Sequence, residues 1–239
     1  MLKIFSYCGS AQSNSKTEEV LQLLISNLLS KTNKKILVKN VKCSEIEIPL
    51  VSNYNQYFSD YDSSSSDTVN KIKKDIENSS IVIFASPVYF KNVSAGMKLL
   101  LDQITSWTHT FELLGKFGVI IVCGSLNGST ETIEYLNDFM LRLGLGSIGI
   151  IEYNSNLDTE ETLTEKIESI SKKLATKIND DSPPEPNTIQ KEIYKNYELS
   201  SINDRFNTFE KQKWENMREK YYGMNLEEIM TAKYKEATN

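Results

Sequence analysis

The sequence lacks both long hydrophobic runs and clusters of basic residues. No uninterrupted apolar segment reaches the roughly 18 residues that a membrane-spanning helix needs, so we expect no membrane partner. The net charge of −5 is spread along the chain, and no segment forms the basic face that nucleic acid would require. The chain begins on a strand-like run without a basic leader, from which we expect a cytoplasmic location.

Cysteine and histidine are also scarce. The three cysteines, Cys8, Cys43 and Cys123, form no C-x-x-C pair, which argues against disulfides and against a metal site. The single histidine, His109, follows Trp107, and we interpret it as a surface or packing residue in preference to a proton donor. Without a Ser/His/Asp or Cys/His arrangement, we predict no catalytic side chain.

Two common nucleotide-binding motifs are missing as well. The absence of G-x-x-x-x-G-K-[ST] argues against a nucleoside triphosphate, and the absence of G-x-G-x-x-G argues against a dinucleotide. What is present is a run of small and hydroxyl residues from Gly9 to Thr17, between a strand-like run and a helix. Backbone N–H groups and hydroxyls at the positive end of that helix suit one phosphate. The alternative is that these residues only cap the helix and turn the chain.

Short apolar runs alternate with amphipathic segments over residues 1–178. The runs are rich in β-branched or aromatic residues and predict strands at 3–8, 35–41, 81–86, 117–123 and 148–153. Apolar residues at three- and four-residue spacing predict helices at 16–29, 68–77, 94–104, 130–143 and 159–177. Strands without polar alternation must be covered on both faces, so we predict a flavodoxin-like α/β fold with a doubly wound, five-stranded parallel sheet. A long loop is expected over 43–67.

The chain changes character after residue 178. Three prolines make 179–186 an extended connector through which no helix continues. Beyond it we predict a helix that ends at Gly223 and a second helix that begins with a capping box of Asn225 and Glu228. The apolar stripe of the first helix comprises Ile202, Phe206, Phe209, Met217 and Tyr221. The predicted domains are therefore 1–178 and a helical C-terminal extension at 179–239, which packs on its own domain, extends a dimer interface or covers a partner's site.

Two more loops follow predicted strands at the same edge of the sheet. Tyr89 and Phe90 lie where a doubly wound sheet has its crevice, and they could stack there on a planar ring. The alternative is that both rings pack into the core. The segment 123–129 is a small-residue loop with room for a flat ligand, or simply a turn.

Together these loops resemble those of the flavodoxin-like NAD(P)H-dependent FMN reductases and their quinone-reductase and iron–sulfur flavoprotein relatives. The resemblance covers residues 1–178 and rests on G-S-x-x-x-N-S-x-T from Gly9 and S-P-V-Y-F-x-N-V-S-x-x-M-K-x-x-x-D from Ser86. It implies FMN as cofactor, with the first loop at its phosphate and the second along its isoalloxazine ring. The implied cofactor-binding residues are Ser10, Gln12, Asn14, Ser15, Lys16, Thr17, Pro87, Val88, Tyr89, Phe90, Asn92, Gly124, Ser125, Asn127 and Gly128.

The chain departs from the family pattern at two places. Many members have arginine where this chain has Gln12, which leaves Lys16 as the cation near the phosphate. The iron–sulfur relatives have a compact cysteine cluster after the second strand, whereas this chain has only Cys43 there. One thiolate cannot hold such a cluster, so we expect no iron–sulfur centre.

The resemblance implies an oxidoreductase that passes hydride from NADPH or NADH to FMN and on to a quinone, a flavin or another small acceptor. This chemistry belongs to the cofactor, which agrees with the lack of a catalytic side chain. The family also implies a homodimer or higher homo-oligomer. The alternatives are a flavodoxin-type electron carrier, an FMN-dependent enzyme with a dedicated biosynthetic substrate, and a cofactor-free binding module. The nearly balanced charge of residues 1–178 disfavours the electron carrier.

Overall fold

A five-stranded parallel sheet forms the centre of the protein. The computed structural model describes residues 1–52, 67–125, 127–203 and 205–238. The parallel strands are β1 (Leu2–Cys8), β2 (Ile36–Lys42), β3 (Ile81–Tyr89), β5 (Phe117–Gly124) and β6 (Gly146–Asn154), and a short β4 (Asn92–Val93) pairs antiparallel with β3. Their order, β2-β1-β3-β5-β6, is that of a flavodoxin-like doubly wound sheet, and the predicted fold class is confirmed.

Helices cover both faces of this sheet. The helices α1 (Lys16–Lys31) and α6 (Glu160–Asn179) pack on one face, where Leu24 and Ile167 contact strand residues such as Ile121. The helices on the other face are α2 (Asp67–Glu77), α3 (Ala95–Gln103) and α5 (Ser129–Arg142). The first seven residues of β5 are buried, as expected for a central strand whose sequence has no polar alternation.

The structure differs from the predicted elements around β3 and α3. The predicted loop over 86–94 contains the last residues of β3, a tight turn and β4, so the chain forms a hairpin where a simple loop was expected. A short helix α4 (Trp107–Thr110) follows α3 and was not predicted. Most of the long loop predicted over 43–67 lies outside the described residues.

Three helices form the C-terminal extension: α7 (Thr188–Ile202), α8 (Thr208–Lys220) and α9 (Leu226–Thr238). The prediction that Ile202 and Phe206 share a helix is wrong, because Asn207 and Glu210 form a capping box that begins α8. The predicted capping box of Asn225 and Glu228 is confirmed by hydrogen bonds of 2.8 and 3.1 Å. No helix of the described residues is both long and apolar enough to cross a membrane.

The extension packs at the amino end of the parallel strands. The ring centroid of Tyr234 lies 5.7 Å from that of Phe117, the first residue of β5. Trp214 of α8 is fully buried in a cluster with Phe111 and Tyr194, and its Nε1 donates to the carbonyl oxygen of His109 at 3.0 Å. Part of the apolar surface of the extension is therefore buried against its own chain, whereas Ile202 of the predicted stripe is 61% exposed.

Candidate functional site

A cavity of about 420 Å³ lies at the carboxyl end of the parallel strands. It is bounded by the last residues of β3, β5 and β6 and by the segments that follow β1, β5 and β6. This is the place where a doubly wound sheet leaves a crevice, because the chain leaves neighbouring strands in opposite directions there. The lining residues are Ser10, Gln12, Ser15, Lys16, Thr17, Pro87, Val88, Tyr89, Cys123, Gly124, Ser125, Tyr153 and Ser155.

Buried hydrogen bonds join the segment that follows β1 to β3 and to the start of α3. The Gly9 N–H donates to the carbonyl oxygen of Ala85 at 2.8 Å, and the Ser94 hydroxyl donates to the Gly9 carbonyl oxygen at 2.6 Å. A Cβ on Gly9 would lie 2.7 Å from Cβ of Met97, so only glycine allows this close approach. The same Ser94 oxygen accepts from the Met97 N–H and caps α3. The cavity is thus built on a rigid junction.

The amino end of α1 contributes neutral hydrogen-bonding groups. Ser10, Ser15 and Thr17 are buried as residues yet line the cavity. Ser15 is the N-cap of α1, and its hydroxyl oxygen accepts from the Glu18 N–H at 3.4 Å. The unpaired N–H groups and the dipole at a helix start attract an anion, so this side of the cavity suits a phosphate.

Lys16 is the single cationic residue among the described residues that line the cavity. Its ammonium lies 2.9 Å from Oε1 of Glu19 and 2.9 Å from Oε1 of Glu160, and 5.0 Å from the ring centroid of Tyr153. Burial acts to lower the pKa of Lys16, but the hydrogen bonds that its ammonium donates to Glu160 and Glu19 outweigh it and raise that pKa above its ordinary value. Lys16 is therefore charged, and two carboxylates already balance its charge.

The β3–β4 hairpin forms the opposite wall. Pro87, Val88 and Tyr89 line the cavity, and Tyr89 is half exposed at its mouth. Phe90 is 100% exposed at the tip of the hairpin, so the alternative that it packs into the core is wrong. Phe90 and Lys91 both have positive φ, +46° and +65°, values that cost energy in non-glycine residues.

The segments after β5 and β6 close the remaining side. The Ser155 N–H donates to the Gly124 carbonyl oxygen at 2.9 Å, and the Asn156 amide donates to that of Ser125. Cys123 of β5 also lines the cavity, and burial raises the pKa of its thiol to about 12. A thiol of that pKa stays protonated and is a poor nucleophile near neutral pH.

Most of the predicted cofactor-binding residues meet in this cavity. Ten of them line it: Ser10, Gln12, Ser15, Lys16, Thr17, Pro87, Val88, Tyr89, Gly124 and Ser125. Asn14, Phe90, Asn92, Asn127 and Gly128 lie in the same loops but outside the lining. Cys123, Tyr153 and Ser155 were missed, although each lies at or just after the carboxyl end of a predicted strand. His109 lies at the other end of the sheet, where its Nδ1 is 2.5 Å from Oε1 of Glu210.

Comparison with curated proteins finds two iron–sulfur flavoproteins. The chain is 34% identical over 84 residues to one from Archaeoglobus fulgidus, an alignment that covers 35% of this chain and 38% of that protein. It is 38% identical over 77 residues to one from Methanocaldococcus jannaschii, with 31% and 40% covered. The chain thus aligns with less than half of either relative. Among its described residues, no group of three His, Cys, Asp or Glu could hold a metal ion.

Comparison with solved structures agrees on the fold. RosB with a bound 8-demethyl-8-formylriboflavin-5'-phosphate intermediate superposes with a TM-score of 0.62 at 13% identity, over 87% of this chain and 89% of RosB. An NAD(P)H:quinone oxidoreductase from Methanothermobacter marburgensis gives 0.57 at 15% identity, over 72% and 98%. The family described as NADPH-dependent FMN reductase matches residues 2–160. This chain belongs to the NADPH-dependent FMN reductase family.

Proposed function

We propose that this protein binds FMN in the cavity at the carboxyl end of its sheet and uses it to transfer hydride from NADPH or NADH to a small acceptor. One observation carries the proposal: the hydroxyl-rich start of α1 and the β3–β4 hairpin line the same cavity in a member of an FMN reductase family. Acceptors of the proposed class include quinones and flavins.

The residues present fit FMN. A volume of about 420 Å³ lies within the range of small-ligand pockets. Ser10, Ser15 and Thr17 offer hydroxyls for a phosphate beside the positive end of α1. Pro87, Val88 and Tyr89 offer a mostly apolar wall for a flat ring. All fifteen predicted cofactor contacts stay predictions, including Asn14, Phe90, Asn92, Asn127 and Gly128, which lie outside the lining.

The protein's part in this reaction is to position reactants. When bound, FMN supplies the hydride-transfer chemistry. The rigid Gly9–Ser94 junction fixes the walls of the cavity, and the half-exposed Tyr89 marks the mouth through which nicotinamide and acceptor would approach. None of the described lining residues is histidine, aspartate or glutamate, and the Cys123 thiol is held protonated. We therefore assign to the chain the role of providing shape and hydrogen bonds.

The wider organisation of the protein follows from the same features. We assign the flavin site to a domain of residues 1–178, with 179–239 as a helical extension. Tyr89 and Phe90 are exposed aromatic residues at the mouth of the cavity, which favours a homodimer or higher homo-oligomer that covers them. A cytoplasmic location suits a reductase that draws on nicotinamide cofactors.

A second candidate is an enzyme for which a flavin phosphate or another biosynthetic intermediate is the substrate. The similarity to RosB covers 87% of this chain, more than residues 1–178 alone provide, and RosB was solved with a flavin phosphate intermediate. This reading places the same ligand in the same cavity. The two candidates differ in the fate of the flavin: a cofactor is recovered chemically unchanged, whereas a substrate is released as a different compound.

The visible absorption spectrum of the purified protein, recorded anaerobically before and after NADPH and then NADH, tests the proposal. We expect bound flavin whose colour bleaches rapidly with one of the two donors, and mass spectrometry should recover the flavin unchanged. A flavin that resists both donors would favour an electron carrier. A flavin recovered with an altered ring would favour the second candidate. A colourless protein that binds no added FMN would overturn the assignment of the cavity.

A further inference from the structure

The charge around Lys16 is unusual for a site that takes a phosphate. Lys16 is the one cationic residue among the described lining residues, and its ammonium contacts Glu19 and Glu160, each at 2.9 Å. The nearby Lys42 is paired with Glu18 and adds no free positive charge. A phosphate dianion that enters this side of the cavity therefore meets one lysine already neutralised by two carboxylates.

The two carboxylates that contact Lys16 belong to different helices. Glu19 lies three residues after Lys16 on the same helix, so this pair is a local helix contact. Glu160 is the first residue of α6 and reaches Lys16 from a different element. Its side chain is 73% exposed, so it is not held in place by packing. Glu160 can thus be removed without disturbing the core.

Phosphorylated and unphosphorylated flavins would respond differently to Glu160. Riboflavin carries no phosphate and has no charge to compete for Lys16, whereas the FMN phosphate competes with Glu160 for the ammonium. An exposed ion pair of this kind is worth about 0.2–1 kcal/mol, which corresponds to at most about a five-fold change in affinity.

We infer that Glu160 is a specificity-determining residue that weakens the cavity's preference for FMN over riboflavin by pairing with Lys16. The inference rests on the proposed flavin site. Gln12 lines the same cavity without a charge, so the phosphate depends on neutral donors and on a lysine shared with Glu160. Pairing with Glu160 therefore lowers the affinity for FMN by at most about five-fold and leaves the affinity for riboflavin unchanged.

The test is the dissociation constant of each flavin, measured by fluorescence titration at low salt with protein stripped of flavin. Glu160→Gln should tighten FMN binding about two- to five-fold and leave riboflavin binding unchanged. The matched control is Glu161→Gln, which makes the same charge change one residue further along α6 on an exposed side chain. It should leave the affinities for both flavins unchanged.

A double-mutant cycle checks that Glu160 acts through Lys16. Lys16→Met keeps an unbranched side chain and removes the charge that lies over the Tyr153 ring. In that background Glu160→Gln should no longer improve FMN binding. Three outcomes would overturn the inference while leaving the flavin site in place. They are an equal gain in FMN affinity from Glu161→Gln, a similar gain in riboflavin affinity from Glu160→Gln, and a gain from Glu160→Gln that persists in the Lys16→Met background. Failure of the wild-type protein to bind either flavin would instead overturn the proposed function, and this inference with it.

Discussion

Lys116 is a buried lysine at the amino end of the sheet, far from the cavity. It is 8% exposed, and its ammonium donates to the carbonyl oxygens of Glu77 at 2.7 Å and Ser79 at 2.6 Å. These bonds connect the ammonium to carbonyl groups at and just after the end of α2. Burial lowers the pKa of Lys116 to about 8, and the like charge of Lys233 adds to the effect.

We predict that Lys116 makes stability rise with pH between about 8 and 10. In this window the unfolded chain keeps the proton on Lys116 because the ordinary pKa is 10.5, while the folded protein loses it. Since the unfolded state then binds more protons, the free energy of unfolding increases with pH, by a contribution on the order of 2 kcal/mol. Urea unfolding of the wild type and of Lys116→Met at pH 7 to 10 measures this contribution. The free energy of unfolding of the wild type should rise relative to that of the variant between pH 8 and 10.

The control is Lys195→Met on an exposed position of α7. Its free energy of unfolding, plotted against pH, should run parallel to that of the wild type. Lys116→Met should be less stable at pH 7, because two buried carbonyl groups lose their donor. Parallel curves for wild type and Lys116→Met from pH 8 to 10 would contradict the prediction.

At the residue scale, the sequence identified the cavity by its loops and missed Tyr153, Cys123 and Ser155. The first loop and the hairpin contain several residue types with an evident chemical use, so they could be found from the sequence. Tyr153 and Cys123 are apolar ends of strands, and nothing in their type distinguishes them from core residues. Their role depends on strand order, which local patterns do not specify.

At the element scale, the β3–β4 hairpin has an unfavourable turn. Its two central residues, Phe90 and Lys91, have φ of +46° and +65°, the conformation for which hairpins usually use asparagine and glycine. The sequence predicted a loop here, and positions 90 and 91 hold neither asparagine nor glycine to indicate a two-residue hairpin turn. Register explains the outcome: Val88 pairs with Val93 and Tyr89 with Asn92, which leaves only two residues to turn the chain.

We predict that Lys91→Gly stabilises the protein by about 0.5–1 kcal/mol, because glycine adopts positive φ without steric cost. The substitution also removes the exposed ion pair between Lys91 and Glu131, which contributes little. The shift in the midpoint of urea unfolding measures the gain. Lys91→Ala is the matched control, since it removes the ion pair but keeps a Cβ, and it should not stabilise. Equal stabilities of the two variants would show that the turn is not strained.

The strands and long helices of residues 1–178 could be predicted because their apolar spacing is regular. The helices of the C-terminal extension could be predicted only in part. Ile202 and Phe206 fit one helical stripe by spacing, yet the chain breaks between them and Asn207 caps a new helix. Spacing alone cannot reveal such a break when no proline or glycine marks it. By contrast, Asn225 and Glu228 showed the start of α9 because a capping box is a local arrangement.

At the scale of the whole molecule, the two ends of the sheet contact different parts of the protein. The carboxyl ends of the strands bound the cavity, while the extension covers the amino ends through Tyr234 and the cluster around Trp214. These regions lie at opposite ends of β5, which begins at Phe117 and ends at Gly124. The extension should therefore affect stability more than it affects the flavin site of its own chain.

We predict that Trp214→Ala lowers the free energy of unfolding by about 3–5 kcal/mol, since it empties a fully buried site and removes the bond to the His109 carbonyl oxygen. The dissociation constant for FMN, measured at a temperature where the variant remains folded, should stay within two-fold of the wild type. Tyr222→Ala is the control, because Tyr222 is 91% exposed and should alter neither quantity. Trp214→Phe keeps most of the volume and serves if the alanine variant does not fold. A clear loss of FMN affinity in folded Trp214→Phe or Trp214→Ala would contradict this prediction. It would show that the extension contributes to a flavin site, for example by contacting the cavity of a partner subunit.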